Sequence, residues 1–366
     1  MGILMKAALI ICYIVGFCLG RKKEKEKEKL YFTANHDFKI VQLTDIHYGH
    51  TRERDLNNTI VLNKILNFTK PNIAVLTGDV VCYACHWAPN IPEITSQICV
   101  HWVNDPFRLH KVPYAWVLGN HDCENASAEY RHKLLRYDMN LEYSYSQVAP
   151  PEVNPGSTYY IPIFSSFNKS QASIIIWAFD SKQQGCMNET SGYGCVEKDQ
   201  IDWFLKTDEK LREQYGDSYV SFAFLHIPPP EYVELYNEFP VYGLRNDTCG
   251  CPKVNSGFIR SLMSRKVNAV FVGHAHNNCY GGDYYGIDLV FGRKTGYGSY
   301  GPDTFSRGGR VINVTESLSN DGKIHVEYSH YVVEENGAIV PNGPSYKRTD
   351  VMPPCFNNAD CLNPDK

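Results

Sequence analysis

The chain has 366 residues, 43% hydrophobic and 13% aromatic, ample for one large buried core. Its 36 Lys and Arg against 40 Asp and Glu leave a formal net charge of -4. That balance excludes a nucleic-acid backbone binder, which needs a clear basic excess.

In chain order, Lys6, the apolar run 7–19 and the small Gly20 have the form of a cleavable secretory signal over residues 1–20. The apolar run is shorter than the ~20 residues that span a bilayer, so no stable membrane span is expected after cleavage. Residues 21–36 open on a Lys and Glu run with nothing to bury and read as a charged linker. One domain is expected over 37–332, then a tail over 333–366, rich in Pro, Asn and Asp, that wraps the surface.

Short apolar, β-branched runs predict buried strands over 38–44, 72–77, 114–118, 173–179, 219–225 and 267–272. A helix opened by Asp55 and closed before Pro71 lies between the first two. It places Val61, Leu62, Ile65 and Leu66 on one face, with Asn63, Lys64 and Asn67 opposite. A second helix is expected over 197–215. Three further strands, at 286–291, 310–315 and 324–329, suggest a second sheet packed on the first. The fold class is α/β, two packed mixed β-sheets flanked by helices.

Seven Asn-x-Ser/Thr sequons (Asn57, Asn67, Asn125, Asn168, Asn188, Asn246 and Asn313) point to a glycoprotein, secreted or held in the lumen of the secretory or lysosomal pathway. Of thirteen cysteines, Cys12 and Cys18 leave with the leader. The remainder suggest disulfides with one thiol left over; Cys186 with Cys195, and Cys355 with Cys361, have bridgeable spacing. Spacing leaves open the pairing of Cys82, Cys85, Cys99, Cys123, Cys249, Cys251 and Cys279. A zinc site on Cys82-x-x-Cys85 and Cys249-x-Cys251 makes a poor four-thiolate frame.

Polar residues gather where the strands end. The first runs into Asp45-Ile46-His47, the second into Gly78-Asp79, and the third into Gly119-Asn120-His121-Asp122. Two later strands run into His226 and into Gly273-His274-Ala275-His276. Ligands of open α/β sheets bind at that carboxyl edge. Carboxylates and imidazoles suit zinc, iron or manganese, and Asp79 is the simplest bridge between two ions. Gly78, Gly119 and Gly273 allow sharp turns there. The other histidines lack such a frame, although His50 is near enough to support the first motif. Asp180 also ends a strand and is read as structural. Residues 83–110 either wall a pocket or form a disulfide-pinned surface loop, and the Gly-rich stretch 292–301 is a flexible rim or a set of turns.

The ordered set Asp-x-His, Gly-Asp, Gly-Asn-His-Asp, lone His and Gly-His-x-His resembles the calcineurin-like metallophosphoesterases. Among them it is similar to short purple-acid-phosphatase-related members without an N-terminal β-sandwich. The resemblance covers roughly residues 38–329. It implies that Asp45, His47, Asp79 and His276 hold one metal and Asp79, Asn120, His226 and His274 a second, the pair being Fe, Zn or Mn. It further implies that His121 faces the substrate phosphate and protonates the leaving group, oriented by Asp122. Purple enzymes carry Gly-Asp-x-x-Tyr; here Tyr83 falls one residue late, so His47 rather than Tyr83 is the expected ligand. The implied activity is phosphate-ester hydrolysis by metal-activated hydroxide, on phosphorylated small molecules or phosphoproteins, as a phosphomonoesterase of acid-phosphatase type. The alternatives are a phosphodiesterase for nucleotides or lipid headgroups, and an inert secreted glycoprotein with this fold. No oligomeric state follows from the sequence.

Overall fold

The protein is described from a computed structural model covering residues 27–82, 92–122, 128–154 and 156–355. The expected leader, Tyr83, Cys85, Cys123 and Cys361 lie outside the described residues. Six strands form one sheet in the order β16 (Ile339–Val340), β15 (Ile324–Glu334), β14 (Gly308–Leu318), β2 (Asp37–Leu43), β3 (Ile73–Thr77), β4 (Tyr114–Val117). Eight form the other: β1 (Leu30–Tyr31), β5 (Tyr159–Phe164), β6 (Ala172–Ala178), β9 (Val220–Phe224), β11 (Ala269–Val272), β13 (Ile287–Phe291), β12 (Cys279–Tyr284) and β10 (Tyr242–Leu244). A separate hairpin pairs β7 (Gln184–Cys186) with β8 (Glu189–Tyr193).

Alternation along each strand sorts the cores. Ile40, Ile73, Val75 and Val117 of the first sheet meet Ile174, Ile176, Phe222 and Phe271 of the second. Their neighbours Val41, Leu43, Leu76 and Trp116 turn outward, where Val61, Leu62, Ile65 and Leu66 of α1 (Arg52–Thr69) cover them. Helices α2 (Pro92–His110) and α3 (Ala128–Met139) join that layer through Val103, Phe107 and Leu135. On the far side, α4 (Lys198–Tyr215), α5 (Glu231–Glu238) and α6 (Phe258–Ser264) bury Phe204, Leu235 and Ile259 against the second sheet. The result is a sandwich of two mixed sheets with helices on both outer faces.

The expected strands form, but they sort differently from expectation. The three late strands do not make a sheet of their own. β13 pairs parallel with β11, whereas β14 pairs antiparallel with β2, so early and late strands share both sheets. Nothing local in sequence sets these registers. Helix α1 starts earlier than Asp55, because Thr51 caps it by accepting the Arg54 N–H. Asp55 is instead buried and takes the Gly49 N–H. Residues 92–110 of the expected loop are helical.

Cys186 pairs with Cys195 as expected, at a Cα separation of 5.2 Å. Cys355 does not pair with Cys361. It bridges Cys251 instead, with Cα atoms 5.1 Å apart. The cause is the path of the tail, which runs back along the second sheet. Tyr346 pairs with Val241, Asp350 accepts from the Tyr236 hydroxyl, and Met352 N–H donates to Asn237. Cys249 and Cys279 are buried thiols, so more than the single expected thiol is left over. Among the described residues, no helix is long and apolar enough to cross a membrane.

Candidate metal centre

Each candidate ligand follows the carboxyl end of a strand: β2 delivers Asp45 and His47, β3 Asp79, β4 Asn120, β9 His226, and β11 His274 and His276. Three of these strands belong to one sheet and two to the other, so the site straddles the edge of the sandwich. The edge is stitched across: Gln42 donates to the Val272 carbonyl at 3.0 Å, and His274 N–H donates to the Asp45 carboxylate at 3.1 Å.

Four of the ligands themselves take left-handed backbone: Asp45 (φ 55°), His47 (55°), Asp79 (51°) and His274 (77°). Such conformations cost non-glycine residues about 1–3 kcal/mol each and persist where surroundings over-determine them. Here Asp45 N–H is held by the Gly78 carbonyl and His47 N–H by the Asp79 carbonyl. Gly78 is itself left-handed, as expected of a sharp turn, whereas Gly119 and Gly273 supply closeness. A Cβ on Gly273 would stand 2.0 Å from Thr44 Oγ1, and one on Gly119 2.3 Å from Asp79 Oδ1.

Donor atoms of Asp45, His47, Asp79 and His276 lie within 4.8 Å of one another, as do those of Asp79, His226 and His274. Asp79 belongs to both groups. His47 Nε2 stands 3.1 Å from His276 Nε2 and 3.6 Å from Asp79 Oδ2; His226 Nε2 stands 3.0 Å from Asp79 Oδ2. The Thr77 carbonyl accepts from His226 Nδ1 and the Tyr300 carbonyl from His276 Nδ1, each at 2.8 Å. Both tautomers therefore leave Nε2 bare and directed inward. Asn120 Oδ1 is buried without a hydrogen-bond partner, and Asp79 Oδ2 and His226 Nε2 face each other across 3.0 Å. Leaving one such atom unmatched costs about 1–3 kcal/mol. The two groups of converging donor atoms, sharing Asp79, form a donor set that fits two cations.

Electrostatics agree. Burial would raise the Asp79 carboxyl, but the facing His226 and His121 overcome it and hold it well below the usual carboxylate range. Burial pushes His226 down, yet Asp79 outweighs it and lifts the imidazole to about 9. A proton and a cation thus compete for one point between them. Burial, reinforced by His226, lowers His274 to about 3, and burial keeps His47 well below its ordinary value. Both are neutral, as ligation requires.

The His121 ring centre lies 5.5 Å from that of His47, and its backbone N–H donates to Asp79 Oδ1 at 2.8 Å. Asp122, expected to orient His121, accepts N–H bonds from Val80, Val81, Gly119 and the Trp116 indole. It braces the two ligand loops. Arg131 completes the brace by donating to the carbonyls of Gly119 and Asp122 while paired with Asp180 at 3.0 Å. Arg131, Lys294 and Tyr300 went unrecognised in the sequence. The first two bind backbone carbonyls, which leave no motif; the third, like Lys294, sits in the Gly-rich stretch expected to be a flexible rim or a set of turns.

The family model for calcineurin-like phosphoesterases matches residues 38–278, spanning all seven ligand positions. The chain is 27% identical over 334 residues to a protein of Arabidopsis thaliana named probable inactive purple acid phosphatase 29, covering 81% of this chain and 82% of that one. It is 26% identical over 343 residues to probable inactive purple acid phosphatase 14 of the same plant, covering 84% and 81%. It is also 26% identical over 283 residues to phosphatase DCR2 of Saccharomyces cerevisiae, covering 69% of this chain and 46% of that longer one. The chain belongs to the calcineurin-like phosphoesterase family, hydrolases of phosphoric ester bonds.

Proposed function

We propose that the chain is an exported, binuclear metal-dependent phosphomonoesterase of acid-phosphatase type. The observation that carries this is the convergence of buried donor atoms around Asp79. Asp45, His47, Asp79 and His276 would hold one ion, and Asp79, Asn120, His226 and His274 the other. The mix of carboxylate, amide and imidazole suits Fe, Zn or Mn. When bound, two such cations supply Lewis acidity that activates water near neutral pH and offsets phosphate charge.

The chain's own residues do the rest. The Asp122 brace would hold the 119–122 turn, and with it His121, beside His47 and Asp79. From there the imidazole would face the substrate phosphate and hand a proton to the leaving alkoxide. Export is supported by the Cys186–Cys195 and Cys251–Cys355 disulfides and by the exposure of Asn67, Asn168, Asn188 and Asn246 for glycosylation. Substrates would be phosphorylated small molecules or phosphoproteins.

A second reading, an inert glycoprotein, is favoured by the names of the plant relatives. Against it, all seven ligand positions are filled here. A phosphodiester substrate would leave the same ligand set. Turnover of chromogenic monoester and diester substrates at several pH values separates these. Faster monoester cleavage is expected; faster diester cleavage overturns the substrate class, and none of either by metal-loaded protein overturns the activity.

A further inference from the structure

The Gly-rich stretch presses on the metal centre at three points. Gly296 lies so close to Ile46 that a Cβ would fall 2.1 Å from the Ile46 carbonyl oxygen, and one on Gly298 2.2 Å from that of His47. Tyr300 stacks its ring on His276 at 3.9 Å between centres. One loop therefore touches the chain at two ligands of the same cation site.

The loop is tied down by polar groups. Lys294, wholly buried, donates to the carbonyls of Asp45 at 3.1 Å and Gly298 at 2.9 Å, joining a ligand to the loop. Asn58 of α1 donates to the Ile46 carbonyl and accepts the Tyr297 N–H. Arg54 donates to the Ser299 carbonyl, and the Tyr300 hydroxyl donates to Asp247 at 2.9 Å. Tautomer control follows. The Tyr300 carbonyl can only accept, so its 2.8 Å contact requires a proton on His276 Nδ1 and bares Nε2 toward the ion. Lys294 Nζ also lies 3.2 Å from that Nδ1, while its hydrogens go to the carbonyls of Asp45 and Gly298.

We propose that residues 294–301 form a ligand clamp that sets cation affinity at the Asp45, His47 and His276 site, with Lys294 and Tyr300 as its positioning residues. This rests on the binuclear site proposed above. Outer partners of metal-bound histidines are worth about 10- to 100-fold in metal affinity. A clamp confined to one site should weaken that site alone.

The test is calorimetric titration of metal-stripped full-length protein with Zn2+ alone, comparing wild type, Lys294→Met and Tyr300→Ala. Neither substitution removes a ligand atom. Tyr300 is half-exposed, so its variant gives a folded readout even where Lys294→Met does not. Wild type is expected to bind two ions. Each variant should bind one ion as wild type does and the other about 10- to 100-fold more weakly, with zinc-soaked crystals depleted at the His47 and His276 position. Two wild-type-strength binding events in a folded variant, or equal weakening of both, would overturn the clamp. A wild type that takes up no Zn2+ would overturn the binuclear reading itself.

Discussion

At the residue scale, two candidate ligands, His226 and His276, are held by bonds that leave one ring nitrogen for an ion, because the Thr77 and Tyr300 carbonyls take their Nδ1 protons. Asp79 is similar: Oδ1 accepts the His121 N–H, while Oδ2 faces His226 Nε2 at 3.0 Å and His47 Nε2 at 3.6 Å. Exchange of that carboxylate for an amide keeps the shape and removes the charge. Asp79→Asn should therefore lose bound metal and phosphatase activity together, read by elemental analysis beside a turnover assay. His121→Ala behaves differently. Its imidazole is not among the converging donors, so metal content should stay while turnover falls about 10²- to 10⁴-fold, the usual worth of a general acid. Equal turnover at equal metal content would remove that role.

At the scale of elements, the Arg131–Asp180 pair links α3 to the segment after β6, with both side chains almost wholly buried. Removing one partner of such a pair costs about 3–5 kcal/mol, because the other charge is left stranded. Arg131→Met should lower unfolding stability by that amount in denaturant titration, and it should loosen the 119–122 turn. Legibility of the elements in the sequence followed burial. Strands β3, β4, β6, β9 and β11 are buried along their whole length and read as largely apolar runs, and β2 stands out by Phe38, Ile40, Val41 and Leu43. β5 was hidden by Pro162 and β12 by its glycines. Gly282 of β12 is small because the chain passes Pro240, where a Cβ would stand 2.7 Å from the carbonyl oxygen. The candidate ligands stood out in the sequence because polar residues follow the strand ends. Lys294 did not, since its partner carbonyl belongs to Asp45, 249 residues away. Strand order across the two sheets was likewise beyond local pattern.

At the scale of the molecule, the two sheets meet at the metal edge and the tail is sewn to the second sheet. The Cys251–Cys355 bridge closes a loop of 104 residues. Removing a native disulfide of this kind costs about 2–5 kcal/mol. Cys251→Ser should lower the thermal midpoint, and reductant should lower that of the wild type but leave the variant less affected.

The convergence itself is tested most directly by anomalous diffraction from crystals of protein purified without chelator. Two peaks about 3.5–4 Å apart are expected, one on each side of Asp79 and bounded by the histidines assigned to it. An absence of anomalous signal there, or a single peak with His226 and His274 bound to nothing, would contradict the account.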